Sequence, residues 1–176
     1  ANPIEALISF DGLTFYGGLI FATIAIWYYA RKKKIGFRHL CDAAAPALIL
    51  AYAIGRIGCQ VSGDGDWGIL NSAYVTAPDS KVVKADTTQF KTALQSNAGF
   101  YLSSHQTHSL DDVQHKRVQA PSWLPRWLFA YQYPHNVVKE GIPIRNCTWG
   151  QYCRQLPIPV FPTPFYETLA CLLLFA

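Results

Sequence analysis

The sequence predicts an all-α polytopic membrane protein, a partial helical bundle that carries a largely irregular insertion outside the membrane. Three observations predict it. The 176 residues are 51% hydrophobic and only 15% charged, whereas about a quarter of a typical soluble chain is charged. An uncharged segment of nineteen residues runs from Gly12 to Ala30, close to the ~20 that cross a hydrocarbon layer. A basic run, Arg31-Lys-Lys-Lys34, follows it directly, as at the cytoplasmic end of a membrane helix. The same composition excludes disorder, which needs low hydrophobicity with high net charge. The net charge of +4 comes from scattered residues and that one run. It makes no basic groove, which argues against nucleic acid as a partner.

The first span is Gly12 to Ala30, with Trp27-Tyr28-Tyr29 as an aromatic belt at its cytoplasmic end. The second apolar stretch, Leu40 to Ile57, carries Asp42, Pro46 and Arg56. Its small residues (Ala43, Ala44, Ala45, Ala47, Ala51, Ala53, Gly55, Gly58) let neighbouring helices approach closely. Running outward, it puts Arg56 near the periplasmic interface, where an arginine either snorkels to water or faces a polar cavity between helices. An ionisable residue in a span is a functional candidate by default.

Residues 1–61 thus read as two transmembrane helices joined by a cytoplasmic basic loop. Residues 62–159 read as a periplasmic loop and insertion, rich in Gly, Ser, Asp, Asn and Pro and with no window long enough to cross a membrane. Within it, Thr76 to Leu94 suggests a short strand and a helix. The segment from Trp123 to Tyr133 is aromatic enough to lie on a membrane interface or to cover a site from above. Residues 160–176 read as the start of a further transmembrane helix. With no methionine and an apolar run reaching Ala176, the chain reads as an internal piece of a longer protein.

Cys147 and Cys153, in the part assigned to the oxidising periplasm, are candidates for a disulfide, with free thiols as the alternative. Their spacing, without a second pair or a nearby His in sequence, does not resemble a zinc site, and no metal is expected. Cys41 and Cys171 fall in apolar spans as small core residues. Cys59 lies beside Arg56, where a structural role is the favoured reading.

The stretch that carries chemistry is Gly55-Arg-Ile-Gly-Cys-Gln-Val-Ser-Gly-Asp-Gly-Asp-Trp-Gly68, a helix end running into a loop. Glycines at this density let backbone amides come close to a ligand, and an arginine fork matches a phosphate. At a membrane surface that phosphate is a phospholipid headgroup; a plain connecting loop is the competing reading.

Here the chain resembles the prolipoprotein diacylglyceryl transferase family, in the longer version known from Bacteroidetes. The family signature is matched by Gly55-Arg56-Ile57-Gly58 and by Trp67-Gly68. A second element is matched by Phe15-Tyr16-Gly17-Gly18-Leu19, and a third by Val160-Phe-Pro-Thr-Pro-Phe-Tyr166-Glu167. The resemblance covers roughly residues 10 to 70 and 155 to 176. It implies transfer of the diacylglyceryl group of phosphatidylglycerol to the lipobox cysteine of a prolipoprotein, at the periplasmic face of a bacterial inner membrane, without a cofactor. The implied partners are phosphatidylglycerol, the lipobox-bearing signal peptide and membrane lipids.

On this resemblance Arg56 stabilises the leaving phosphate. Asp64 or Asp66 orients it or binds glycerol hydroxyls, and Glu167 pairs with a cation. Gly17, Gly18, Gly55, Gly58, Trp67, Gly68 and Tyr166 line the lipid site. The departures weigh too. The motif histidine is replaced by Tyr16, with an ordinary pKa near 10, and His135 is a candidate replacement base. The signature asparagines give way to Cys59 and Ser62. The third motif's arginine is Val160, for which Arg145 or Arg154 is a candidate substitute. These losses keep open a non-catalytic membrane homologue that binds lipid or lipoprotein.

Overall fold

The computed structural model describes residues 10–104 and 108–176, with side chains from residue 17 onward. The chain forms two compact units, Ala1–Ile49 and Leu50–Ala176.

In the first unit, helix α1 (Phe10–Lys32) leads through a short turn to the opening half of α2 (Phe37–Ser62). The turn ends α1 in a Schellman arrangement. Lys34 takes the left-handed conformation (φ 57°), and the Ile35 and Lys34 amides bond back to the Ala30 and Arg31 carbonyls at 2.9 and 3.2 Å. The basic last turn suits the negative end of the helix dipole, and the Arg31 guanidinium lies over the Trp27 ring, 5.2 Å from its centre. Among the described residues one helix, α2, is long and apolar enough to cross a membrane. Its 26 residues reach about 39 Å at the usual rise. Its large apolar side chains face outward, Leu48 and Val61 among them.

The second unit holds the later half of α2, a folded head, and the apolar helix α5 (Thr163–Phe175). The head contains β1 (Leu70–Asn71), β2 (Tyr74–Thr76), β3 (Val82–Lys84), α3 (Thr87–Ser96), α4 (Ala98–Ser104), β4 (His115–Lys116), β5 (Ile142–Pro143) and β6 (Arg154–Gln155). β1 pairs with β4 in parallel, and β2–β3 and β5–β6 pair antiparallel. The first ladder joins Leu70 to His115 across the head, and bridges from Leu70 and Tyr131 meet at Val160. Leu70, Phe90, Leu94, Tyr101, Val113, Tyr133, Leu156, Ile158 and Val160 form one core.

Asn71, fully buried, ties loops to that core. Its Nδ2 donates to the Val118 and Phe129 carbonyls at 2.8 and 2.9 Å, and its Oδ1 accepts from the Ala73 and Val118 amides. All four bonds of a buried amide are thereby made, as burial requires. Asp86 opens α3 with a capping box shared with Gln89.

One expectation is corrected here. The chain is not all-α, since three two-stranded ladders lie among the described residues. The insertion is largely irregular, most of its described residues lying outside helices and strands, yet it closes around a hydrophobic core. Strands of two or three residues are too short to show a period-2 pattern, and the partners β1 and β4 lie far apart along the chain.

Candidate functional site

Small side chains bring α2 and α5 together. Ala53 and Thr168 are both buried, and the Thr168 hydroxyl meets the Ala53 carbonyl at 3.3 Å and the Pro164 carbonyl at 2.9 Å. One turn beyond Ala53, Arg56 is consequently buried to 9% exposure, and Glu167 of α5 faces it. Nε of Arg56 lies 2.8 Å from Glu167 Oε2, and Nη2 donates to Oε1 at 3.5 Å. From the loop after α2, Asp66 forms an ion pair and hydrogen bond with Nη1. Nη1 also approaches Cys59 Sγ at 3.5 Å. The hydroxyl of Tyr52, one turn before Arg56, donates to Glu167 Oε2 at 2.7 Å. A guanidinium between two carboxylates is the arrangement a buried arginine needs, because an unpaired charge there is costly.

The two carboxylates differ. Glu167 is 35% exposed and held by Tyr52, whereas Asp66 is 67% exposed and sits on a loop. Asp64 does not touch Arg56; its Oδ1 accepts the Asp66 amide at 3.3 Å, which shapes the turn that carries Asp66.

The loop is clamped on both sides. Gly63, in the left-handed region (φ 61°), leaves no room for a side chain, since a Cβ would lie 2.8 Å from Asn136 Cβ. The Val137 amide bonds to the Ser62 carbonyl at 2.9 Å, and Tyr133 Oη donates to Gln60 at 2.9 Å. Burial pushes the Tyr133 hydroxyl well above its ordinary pKa, so it serves as a hydrogen-bonding group and not as a base. Trp67 packs on Tyr133 with ring centres 5.3 Å apart. The Gly68 amide bonds to the Phe161 carbonyl at 3.0 Å, and a Cβ there would fall 2.2 Å from Thr163 Oγ1. Trp67 and Gly68 are thus packing residues that join the loop to the start of α5.

The remaining candidates are scattered. Gly55 and Gly58 on α2, and Gly17 and Gly18 on α1, have no neighbouring heavy atom within 4 Å of where a Cβ would stand. The side chain of Tyr16 lies outside the described residues. The Tyr166 hydroxyl is engaged by the Leu128 carbonyl. His135 stacks on Trp149 (4.5 Å) and lies 3.6 Å from Cys147 Sγ; it is not among the partners of Arg56. Cys147 and Cys153 are joined in a disulfide. They and His135 form the one group with metal-ligand atoms close together among the described residues, but sulfurs in a disulfide offer no thiolate. Val160 is buried in the core. Arg154 Nη1 donates to the Gly141 carbonyl at 2.8 Å, and Arg145 is exposed.

Tyr52 and the Ala53–Thr168 contact escaped the sequence reading. Position 52 lies four residues before Arg56, on the same helix face, and that spacing was the available signal.

The fold and site define a class: a protein with a membrane-length helix whose end holds an arginine between carboxylates beside a folded head. The family model for prolipoprotein diacylglyceryl transferase matches residues 1–176, and the chain belongs to that family. Three relatives are each named phosphatidylglycerol–prolipoprotein diacylglyceryl transferase. That of Leptospira interrogans is 41% identical over 71 residues, covering 40% of this chain and 22% of the relative. That of Dehalococcoides mccartyi is 44% identical over 62 residues, 35% of this chain and 24% of the relative. That of Neisseria gonorrhoeae is 41% identical over 69 residues, 39% and 24%. The matched region therefore spans less than a quarter of each relative. No solved structure matches the chain.

Proposed function

We propose that the full-length protein transfers the diacylglyceryl group of phosphatidylglycerol to the lipobox cysteine of a prolipoprotein, at the periplasmic face of a bacterial inner membrane. Residues 1–61 supply two spans with a cytoplasmic basic loop, 62–159 the periplasmic head, and 160–176 the entry of a further span. The observation that carries the reading is Arg56, fixed by Glu167 and shared with an exposed Asp66 at the end of a membrane-length helix.

In the reaction the cysteine sulfur, as thiolate, attacks the glycerol carbon that bears the phosphate. An S–C bond forms, the C–O bond breaks, and glycerol phosphate leaves with the electron pair; the thiol proton passes to a base. The developing charge is on the phosphate oxygens, so catalysis needs a fixed cation there. Arg56 fits that demand, because Tyr52 and Glu167 hold one side of its guanidinium while Asp66 is free to swing out. A phosphodiester then takes the place of Asp66 on Nη1, one anion exchanged for another without leaving the arginine unpaired. Once displaced, Asp66 joins Asp64 as an acceptor for the glycerol hydroxyls. Gly55 and Gly58 leave the α2 surface open to a lipid.

A second reading, a non-catalytic homologue that binds lipid or lipoprotein, draws on Val160, a buried core residue where the family motif has an arginine. Rescue of a bacterial strain lacking its own transferase separates the two. The full-length protein restores growth and Arg56→Ala does not, if the enzyme reading holds. Failure of the unmutated protein sinks the enzyme reading, and rescue by both sinks only the assignment of Arg56.

A further inference from the structure

Residues 121–129 form a foot beneath the head. Two successive turns, closed by the Leu124 amide on the Pro121 carbonyl (3.1 Å) and the Leu128 amide on the Pro125 carbonyl (3.2 Å), fold the segment compactly. It stands on the first turn of α5: Trp127 packs edge-on against Phe165 with ring centres 5.0 Å apart, and the Tyr166 hydroxyl donates to the Leu128 carbonyl. Behind it, Ala130 is buried and Tyr131 pairs with Val160. Arg126, the only charged residue of the foot, turns away toward the head, over the Tyr74 ring and onto the Val82 carbonyl. The large apolar side chains it leaves exposed are Trp123, 78% exposed, and Trp127, beside the likewise exposed Ser122, Pro125 and Arg126.

Two exposed indoles on one well-anchored loop, with no charge between them other than the averted Arg126, make the kind of apolar surface that marks a contact site. α5 identifies what that surface meets, for beyond the turn where the foot stands its outward side chains are Leu169, Leu172, Leu173, Leu174 and Phe175. Trp127 is therefore at the level where that helix passes from polar to apolar surroundings, and Trp123 lies in the turn just before it. Indoles collect at that depth because the ring is apolar and its N–H is wet. We propose that Trp123 and Trp127 form an interfacial foot that seats the head on the phospholipid bilayer and fixes its height above the Arg56 site. The inference rests on the reading of α5 as the entry of a span.

The test reads tryptophan emission of the full-length protein in phosphatidylglycerol-containing vesicles, with lipids brominated high on the acyl chain as one quencher and aqueous iodide as the other. The emission removed by Trp123→Phe is expected to be that quenched by the brominated lipid and shielded from iodide. Leu173→Trp, about 12 Å beyond Phe165 along α5, is the reference for the span. If its added emission is quenched by brominated lipid while that of Trp123 responds only to iodide, the head stands clear of the bilayer and the foot is wrong. If Trp123 responds to neither quencher, a protein covers it and the proposal is equally lost. If neither position is quenched by lipid, the reading of α5 as a span fails, and the foot with it.

Discussion

At the residue scale, the two carboxylates around Arg56 do different work. Glu167 is fixed by the Tyr52 hydroxyl and fixes the guanidinium in turn; Asp66 is the more exposed of the two, and in the proposed reaction it is the partner that the phosphate replaces. Tyr52→Phe is expected to lower transfer activity by about ten- to a hundredfold without unfolding the protein, since one hydrogen bond to a charged group contributes about 1.5–3 kcal/mol and about 1.4 kcal/mol is tenfold; kcat and KM for phosphatidylglycerol in vesicles check it. His135→Ala is expected to leave the rate within about twofold, because the ring is stacked on Trp149 beside the disulfide; a loss of about a hundredfold, typical when a general base is removed, would return His135 to the mechanism. Gly68→Ala forces a methyl group against Thr163 Oγ1 and the Phe161 carbonyl. A cost of about 1–3 kcal/mol for such overpacking is expected as a lower midpoint of thermal unfolding. Arg56 and Glu167 were legible in the sequence as motif residues. That they touch was not, because 111 positions separate them and only the packing of Ala53 on Thr168 brings them together.

At the scale of elements, the ends of segments were more legible than their pairings. The apolar stretch from Leu40 to Ile57 lies inside α2, and the further span read over residues 160–176 contains α5. The ladders were illegible because β1 and β4 contribute two residues each and are set side by side by the core around Leu70 and Val160. The β5–β6 hairpin holds the Cys147–Cys153 disulfide between its strands. A loop this short contributes about 2 kcal/mol by chain entropy, so the double variant Cys147→Ser with Cys153→Ser is expected to lower the head's unfolding midpoint while α2 is unaffected. Glu140, beside this hairpin, has its carboxyl pushed above the usual value of 4.5 by partial burial. A raised acid stays neutral longer when folded, so it has no effect on stability below 4.5, becomes destabilising as the pH rises from 4.5 to the folded value, and is fully so above it. Glu140→Gln is therefore expected to flatten stability against pH just above 4.5 and raise it slightly at neutral pH, as urea titrations at several pH values would read.

At the scale of the molecule, a membrane-length helix, a cored head and an apolar closing helix meet where charge is buried. Composition and the apolar runs were enough to indicate a membrane protein, whereas the head's tertiary order depends on single residues such as Asn71 that no sequence period marks. The placement of Arg56 makes chemical sense at this scale only. In the proposed reaction the cation at the end of α2 meets the phospholipid phosphate, with Gly55 and Gly58 leaving the helix surface beside it open. The most direct measurement is the rate at which the purified full-length protein transfers diacylglyceryl from phosphatidylglycerol to a lipobox peptide in vesicles, unmutated and as Arg56→Ala. We predict transfer by the unmutated protein and a loss of about 10²–10³-fold in the variant, the usual effect of removing a group that stabilises developing charge. Equal rates in the two proteins would contradict the central role given to Arg56.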